Sequence, residues 1–518
     1  METTAANTVL TALGLMLGSI IVACDPPESR HQGVKLADLP TLKVAPAQQP
    51  LPTGKIVEPR DVTIALVGEV RGELEPCGCP TLPWGGFERR ATQLNKLRAS
   101  SPGPVFHVDA GDTLVKGFAT QRADKLEERA QEVLRLSEMV GVDVWVVGAS
   151  DLMAFPAARL PSVEGPPRIS ATWATARGEL VLPPSIVLER EGLRLGVIGL
   201  SAAPSTDSGL TQLDPVAATR TALANLPADL DWIIAVSNLN EEDVDAVAAE
   251  VSDLSAILST RGSEYDTPEL DRSPSVPIIE TPDRGRYLQV VHARLGSAPA
   301  ERLLLHPEPP KWRARLSSVK RGNVDALATE GAGRNLGLVN TVPLSADLDD
   351  MGPIRERLER YQERRRVDAA SRAETSSPHS ASYASSGACV NCHSDEFARW
   401  TLTKHARAWT TLVRRGETDN PECVGCHTTG YGEPGGLGEL TDSNIRQFKG
   451  VQCEECHGPM GGHPSNPDVH STAVTRESCL KCHDEANSPD FDYETYLPRA
   501  SCQGGAPAII PRPAGQDE

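Results

Sequence analysis

The chain has 518 residues, room for two or three domains, and carries a formal net charge of −19. That acidity excludes a nucleic-acid binder and fits a soluble surface that steers basic partners. Aromatic residues make up only 4 %, against 43 glycines and 42 prolines, so the cores read as aliphatic and the loops as abundant.

Residues Val9–Ala23 form an apolar stretch too short for a secure membrane span. It ends in Ile21-Val22-Ala23-Cys24, which resembles the lipobox of bacterial lipoproteins. The resemblance implies that residues 1–23 are a signal peptide removed in processing. It also implies lipidation of Cys24 and anchoring to a membrane of the cell envelope by acyl chains. The opening METTAANT lacks Lys and Arg, and an ordinary cleaved signal and an uncleaved anchor are the other readings of this stretch. Residues 24–60, rich in Pro, Gln and Ala, read as a flexible tether.

From 61 to 305 short β-rich runs alternate with helical stretches. Strands are expected at Val62–Gly68, Pro104–Asp109, Asp143–Gly148, Leu193–Leu200 and Asp231–Ser237. Helices are expected near Arg89–Arg98, Ala123–Val140, Pro215–Leu226 and Glu241–Val251. This is the pattern of an α/β domain, and the nearly continuous apolar strands imply that both sheet faces are covered. Residues 306–386 read as a connecting region. It contains a charged helix over 352–374, expected to be solvated, and a Ser-rich linker. Residues 387–504 form a second domain, and 505–518 a Pro/Gly tail.

That second domain carries the chemistry. Four CxxCH motifs occur there: Cys389–His393, Cys423–His427, Cys453–His457 and Cys479–His483. Each is an attachment site for a c-type haem. Cys389, Cys392, Cys423, Cys426, Cys453, Cys456, Cys479 and Cys482 would form the thioethers. His393, His427, His457 and His483 would be the proximal iron ligands. A pair of zinc ribbons would not need a His after every second Cys. Four c-type haems in about 120 residues would supply most of the buried surface, leaving few regular elements. Covalent haem also sets an oxidising, extracytoplasmic compartment such as the periplasm. The candidate distal ligands are His405, His463 and His470, with His379 in the linker a weaker fourth. Two histidines on one iron saturate it for electron transfer, whereas an open position admits small-molecule chemistry.

The order and spacing of these motifs, with ACVNCHSDEFARWTLTKHARAW and VQCEECHGP followed by a His, resemble the tetrahaem cytochrome c554-type domain. That resemblance implies mostly bis-His haems, one of them sometimes five-coordinate, and a role in shuttling electrons. By position it gives distal roles to His405 and His463. The family commonly closes with a His after the tyrosine-proline stretch, where this chain has Cys502. One haem then has Cys502, another His or nothing as its distal partner, or Cys502 is simply a surface thiol.

The α/β region, through VTIALVGEVRGELEPCGC, VDAGDTLVKG and VVGASDLMAF, resembles 5′-nucleotidase-like metallophosphoesterases. The resemblance implies a sandwich of two sheets flanked by helices, with two catalytic metal ions. Yet Glu69-Val70-Arg71 stands where Asp-x-His is expected, and Gly148-Ala149-Ser150-Asp151 where Gly-Asn-His-Asp is expected. Ser237-Asn238 replaces Ser-His, Thr260-Arg261-Gly262 replaces Gly-His-x-His, and only Gly111-Asp112 survives. The domain therefore reads as metal-depleted, with Asp109 and Asp112 as loop residues. The ELEPCGC…GG-x-x-RR string resembles a bacterial subgroup that carries this cysteine pair. Cys77 and Cys79 read as a redox pair, a structural disulfide or a metal half-site.

Three functions are compatible with these residues. One is an extracytoplasmic tetrahaem electron-transfer protein whose nucleotidase-like domain serves docking or thiol redox. The others are a redox enzyme acting at an open haem on a small nitrogen or sulfur species, and a metallophosphoesterase carrying a cytochrome module.

Overall fold

The computed structural model describes residues 60–76, 84–115, 123–260, 276–282, 284–296, 303–306, 335–348, 352–374, 382–466, 468, 471–483, 488 and 490–500. Cys24, Cys77, Cys79, His379, His470 and Cys502 lie outside them, as do the signal segment and the tail.

Strands β1 (Arg60–Val67), β2 (Val105–Asp109), β3 (Val144–Val146) and β4 (Arg168–Ile169) pair in parallel, in that order. On the other side of β1, β12 (Tyr287–Leu295) pairs antiparallel, followed by β14 (Asn335–Pro343) and β13 (Leu303–His306). The seven-stranded sheet thus runs β13-β14-β12-β1-β2-β3-β4. A second, five-stranded sheet runs β11 (Ile278–Glu280), β10 (Ala256–Ser259), β9 (Trp232–Ser237), β7 (Leu193–Leu200) and β6 (Ser185–Arg190). A small ribbon pairs β5 (Trp173–Thr175) with β8 (Leu210–Gln212).

Period-two alternation assigns the faces. Val62, Ile64 and Leu66 of β1 meet Leu195, Val197, Trp232 and Ile234 in the layer between the two sheets. Ala65 and Val67 of β1 face the opposite way, onto helices α1 (Phe87–Ser100) and α2 (Ala123–Met139). The outer face of the second sheet, with Ile198, Ala235 and Ile257, is covered by α3 (Pro215–Ala224) and α4 (Glu241–Glu250). The result is the expected sandwich of two sheets between helices. Both later helices start on side-chain caps. Asp214 accepts from the amide of Ala217, and Asn240 from the amide of Asp243, ahead of three acidic residues in the first turn of α4.

Strand pairing continues past the expected end of this domain at Leu305, because β14 lies between β12 and β13. The charged helix is present as α5 (Pro353–Ala373), but one stripe of it is buried rather than solvated. Ile354, Leu358 and Tyr361, spaced four and three apart, fall on one face and join the core under the first sheet. Around that stripe Arg357 and Arg364 reach back to the fully buried Glu132 of α2, with Nη2–Oε2 distances of 2.6 and 3.3 Å. The far end of α5 packs on the cytochrome-like region. Ala369 is fully buried there, and Arg372 Nε donates to the carbonyl of Gly432 at 3.2 Å.

The C-terminal region is loop-rich and helical, as expected. Its helices are short: Ser386–Cys389, Ser394–Thr401, Ala408–Arg415, Pro421–His427, Asp442–Phe448, Cys453–His457, Arg476–Leu480 and Tyr493–Ala500. Its buried apolar cluster is centred on Leu412, Val424, Leu437 and Phe448. Polar side chains do much of the joining. Buried Glu454 accepts from the amides of Ala384, Ser385 and Met460, and Gln452 Oε1 from the amide of Ser386.

Candidate haem centres and the nucleotidase-like cleft

Each CxxCH motif is built on a single helical turn. In the first, the amide of His393 donates to the carbonyl of Cys389 at 2.9 Å. In the fourth, His483 donates to Cys479 at the same distance. The second motif sits on a capped helix, with Asn420 accepting from the amide of Glu422 and Pro421 in the first turn. A turn of this kind puts two cysteines three apart, and the following histidine, on one face. Seven of the eight cysteines are half-buried and Cys392 is exposed. That suits attachment of a large ligand laid against the surface.

Histidines distant in sequence converge. The rings of His393 and His463 have centroids 6.2 Å apart, and those of His405 and His483 5.9 Å apart. A histidine nitrogen sits about 2 Å from the metal it ligates, so two rings gripping one ion from opposite sides have centroids about 6 Å apart. Both separations are of that size. His427 Nδ1 lies 2.7 Å from the carbonyl of Ala408, and His483 Nδ1 lies 2.8 Å from Ser488 Oγ. A carbonyl only accepts, so Nδ1 of His427 carries the proton and Nε2 is left with its lone pair for iron. The motifs also associate in twos. The thiols of Cys389 and Cys453 are hydrogen-bonded, as are those of Cys426 and Cys482, so the first motif neighbours the third and the second the fourth. The residues present therefore fit covalently held haem.

A cluster of loops carrying Glu69, Asp112, Asp151 and Asn238 lies at the carboxyl ends of β1, β2, β3 and β9. Its acidic groups are engaged in tying loops together. Asp112 Oδ1 accepts from the amide and hydroxyl of Ser150 at 2.8 and 2.7 Å. Asp151 accepts from the amides of Thr113, Leu114 and Gly148. Asp109 Oδ1 takes the amide of Gly111 and the hydroxyl of Thr113. Burial pushes the Asp109 carboxyl up to about 6, and pushes Asp151 well above the usual carboxylate range, with the Asp112 charge adding to the shift. Asn238 bridges Ala110 and Ala202 through its two amide atoms, both at 2.7 Å. Arg71 pairs with Glu69 at 2.7 Å. Glu69, Arg71 and Asp112 all have positive φ, near 50°, and their backbones are cross-bonded between the first two loops. These residues do not fit a pair of divalent ions: the imidazoles are absent, and a guanidinium is paired with the first carboxylate.

One group of residues escaped the sequence reading. Arg129 of α2 is buried; its Nε donates to the carbonyl of Gly72 at 2.8 Å and its Nη1 donates to Glu422, the residue before Cys423. Glu75 accepts from Asn420 Nδ2 at 3.0 Å and from Gln362 Nε2 at 2.6 Å. The α/β domain, α5 and the second CxxCH helix meet here. The Asn-Pro cap was the only local signal.

Residues 388–458 match the family model described as cytochrome c554 and c-prime. Cytochrome c-554 of Nitrosomonas europaea is 33 % identical over 86 residues, which is 14 % of this chain and only 36 % of that protein. This segment is thus similar to cytochrome c554 over the matched residues, and the chain spans only about a third of that relative. Among solved structures, the chain is similar to a 5′-nucleotidase precursor from Thermus thermophilus, at TM-score 0.44 and 16 % identity over 59 % of each chain. It is also similar to the calcineurin-like phosphoesterase YfkN from Bacillus subtilis, at TM-score 0.42 and 14 % identity over 59 % of this chain and 98 % of that one.

Proposed function

We propose that the chain is an extracytoplasmic tetrahaem c-type cytochrome that passes electrons between redox partner proteins, held at the cell envelope by a lipid on Cys24. Its α/β domain docks a partner or exchanges electrons through Cys77 and Cys79, and does not hydrolyse phosphate esters. The observation that carries this reading is the spacing of the two histidine pairs, His393 with His463 and His405 with His483. A c-type haem supplies a one-electron iron couple. His393 with His463, and His405 with His483, would hold the iron at two centres, and two histidines on one iron suit it to electron transfer. His427 is held in the metal-binding tautomer by Ala408, and the short helical turns keep each cysteine pair aligned with its histidine. The thiol role is supported by Glu75, two residues before Cys77, which is hydrogen-bonded to the cap of the helix bearing Cys423 and His427. No described helix is long and apolar enough to cross a membrane.

A second reading, a redox enzyme acting on a small nitrogen or sulfur species, is favoured by a different observation. Among the described residues, no histidine ring faces His427 or His457. The test is a pyridine haemochrome count and electron paramagnetic resonance of the oxidised full-length protein. We expect four haems per chain and low-spin signals from at least two. A high-spin signal shifts the conclusion to the second reading, and fewer than four haems overturns the tetrahaem assignment.

A further inference from the structure

We propose that Arg129, a residue of the α/β domain, sets the reduction potential of the haem carried by Cys423, Cys426 and His427, acting through Glu422. The inference rests on the reading that this motif holds haem.

Arg129 comes from the middle of α2, in the domain that has no haem motif. Its side chain is 3 % exposed, and Glu422 beside Cys423 is 19 % exposed. A second guanidinium, Arg365 of α5, stands 3.7 Å from the other oxygen of Glu422. Tyr361, fully buried, packs beneath this group, and Glu73 and Glu75 lie within electrostatic reach of Arg129. Two arginines from two elements thus converge on one carboxylate adjacent to a haem-attaching cysteine. An exposed ion pair would be screened over about 8–10 Å by salt, but a buried one is screened far less. Reduction of a haem iron adds one negative charge. A nearby fixed positive charge therefore favours the reduced state, and a nearby negative charge favours the oxidised state. The direction of each change follows from the charge removed, whatever the other groups contribute.

This makes Arg129 a positioning and tuning residue with a distinctive signature. Arg129→Met and Glu422→Gln break the same contact, so a purely structural effect would move the potential the same way in both. Electrostatic control moves it in opposite directions.

The experiment is a spectropotentiometric titration of the full-length haem-loaded protein and its variants. The relevant redox wave is identified as the one lost in the Cys423→Ser, Cys426→Ser double variant. We expect Arg129→Met to lower that haem's potential and Glu422→Gln to raise it. Each change should be about tenfold in the reduced-to-oxidised ratio at fixed potential, or about 59 mV for one electron. Arg129→Lys, which keeps the charge, should stay near the parent. If Glu422→Gln does not fold, the comparison of Arg129→Met with Arg129→Lys carries the test: both disturb the contact with Glu422, but only the loss of charge in Arg129→Met should lower the potential, and equal shifts in the two would overturn the proposal. Shifts of equal sign in Arg129→Met and Glu422→Gln, a uniform shift of all haems, or no shift would overturn the proposal. A double cysteine variant that loses no haem would instead refute the underlying assignment of haem to this motif.

Discussion

His292 and Asp109 lie on the two strands that flank β1, and burial drives their titrations in opposite directions. His292 Nδ1 lies 2.8 Å from Thr63 Oγ1, and burial lowers the imidazole from 6.5 to about 4. Asp109 is raised from 3.8 to about 6. For His292 the unfolded chain binds more protons between these limits, so its contribution is present above pH 6.5 and is lost as the pH falls through about 4. For Asp109 the folded chain binds more protons, so its contribution is present below pH 3.8 and is lost as the pH rises through about 6. His107 and Asp151, both fully buried, repeat the same opposition. Between about pH 4 and 6 the two slopes therefore offset each other. Replacing His292 with Gln removes one of them. Unfolding free energies from urea titrations across that window should then fall with rising pH relative to the parent, by up to about 3 kcal/mol from end to end. A slope unchanged from the parent would refute the balance. At this scale the four CxxCH motifs were legible in the sequence because they are contiguous, four residues from the first cysteine to the histidine. The pairing of His405 with His483, and the contact between Arg129 and Glu422, were not. Both depend on long-range packing, and a charged residue on an amphipathic helix reads as a solvated one.

At the scale of elements, α5 behaves as a strut. Its first half completes the core beneath the first sheet, and its last turns lie against Gly432 and Gly438 of the cytochrome-like region. Glu132 anchors it, being fully buried and shared by Arg357 and Arg364. Glu132→Ala should cost about 2–3 kcal/mol, the range for losing hydrogen bonds to a buried charged group. Calorimetry should show the α/β transition weakening, and an unchanged transition would mean that the ion pairs are incidental. The same helix explains why the domain boundary was hard to read. Its sequence is dominated by Arg and Glu, and the three apolar residues of its stripe are diluted among them. Strands β12 and β14 were missed for a related reason. Polar residues interrupt their apolar runs, yet those residues find partners inside the sheet, as Thr341 does in donating to Gln289 Oε1 at 2.7 Å. By contrast β1, β2, β3, β7 and β9 announce themselves, because a strand covered on both faces is apolar almost throughout.

For the whole molecule, the contrast lies between a two-sheet sandwich and the short-helical, CxxCH-bearing region packed against it. The loops at the carboxyl ends of β1, β2 and β3 are stitched together by Asp112, Asp151 and Asn238. We expect no phosphatase turnover on p-nitrophenyl phosphate or AMP with added Mn²⁺ or Zn²⁺. Robust turnover would return the chain to the phosphoesterases. Helix α2 and the loop ending at Glu75 form a face that receives the second CxxCH helix.

That contact has a thermodynamic corollary. Coupling between two events in one molecule is reciprocal. If the grip of Arg129 on Glu422 alters how readily the neighbouring iron accepts an electron, then accepting the electron alters that grip by the same factor. On that proposal the redox state of one haem would be written into the adhesion between two domains, and the α/β sandwich would register the passage of an electron without binding anything itself.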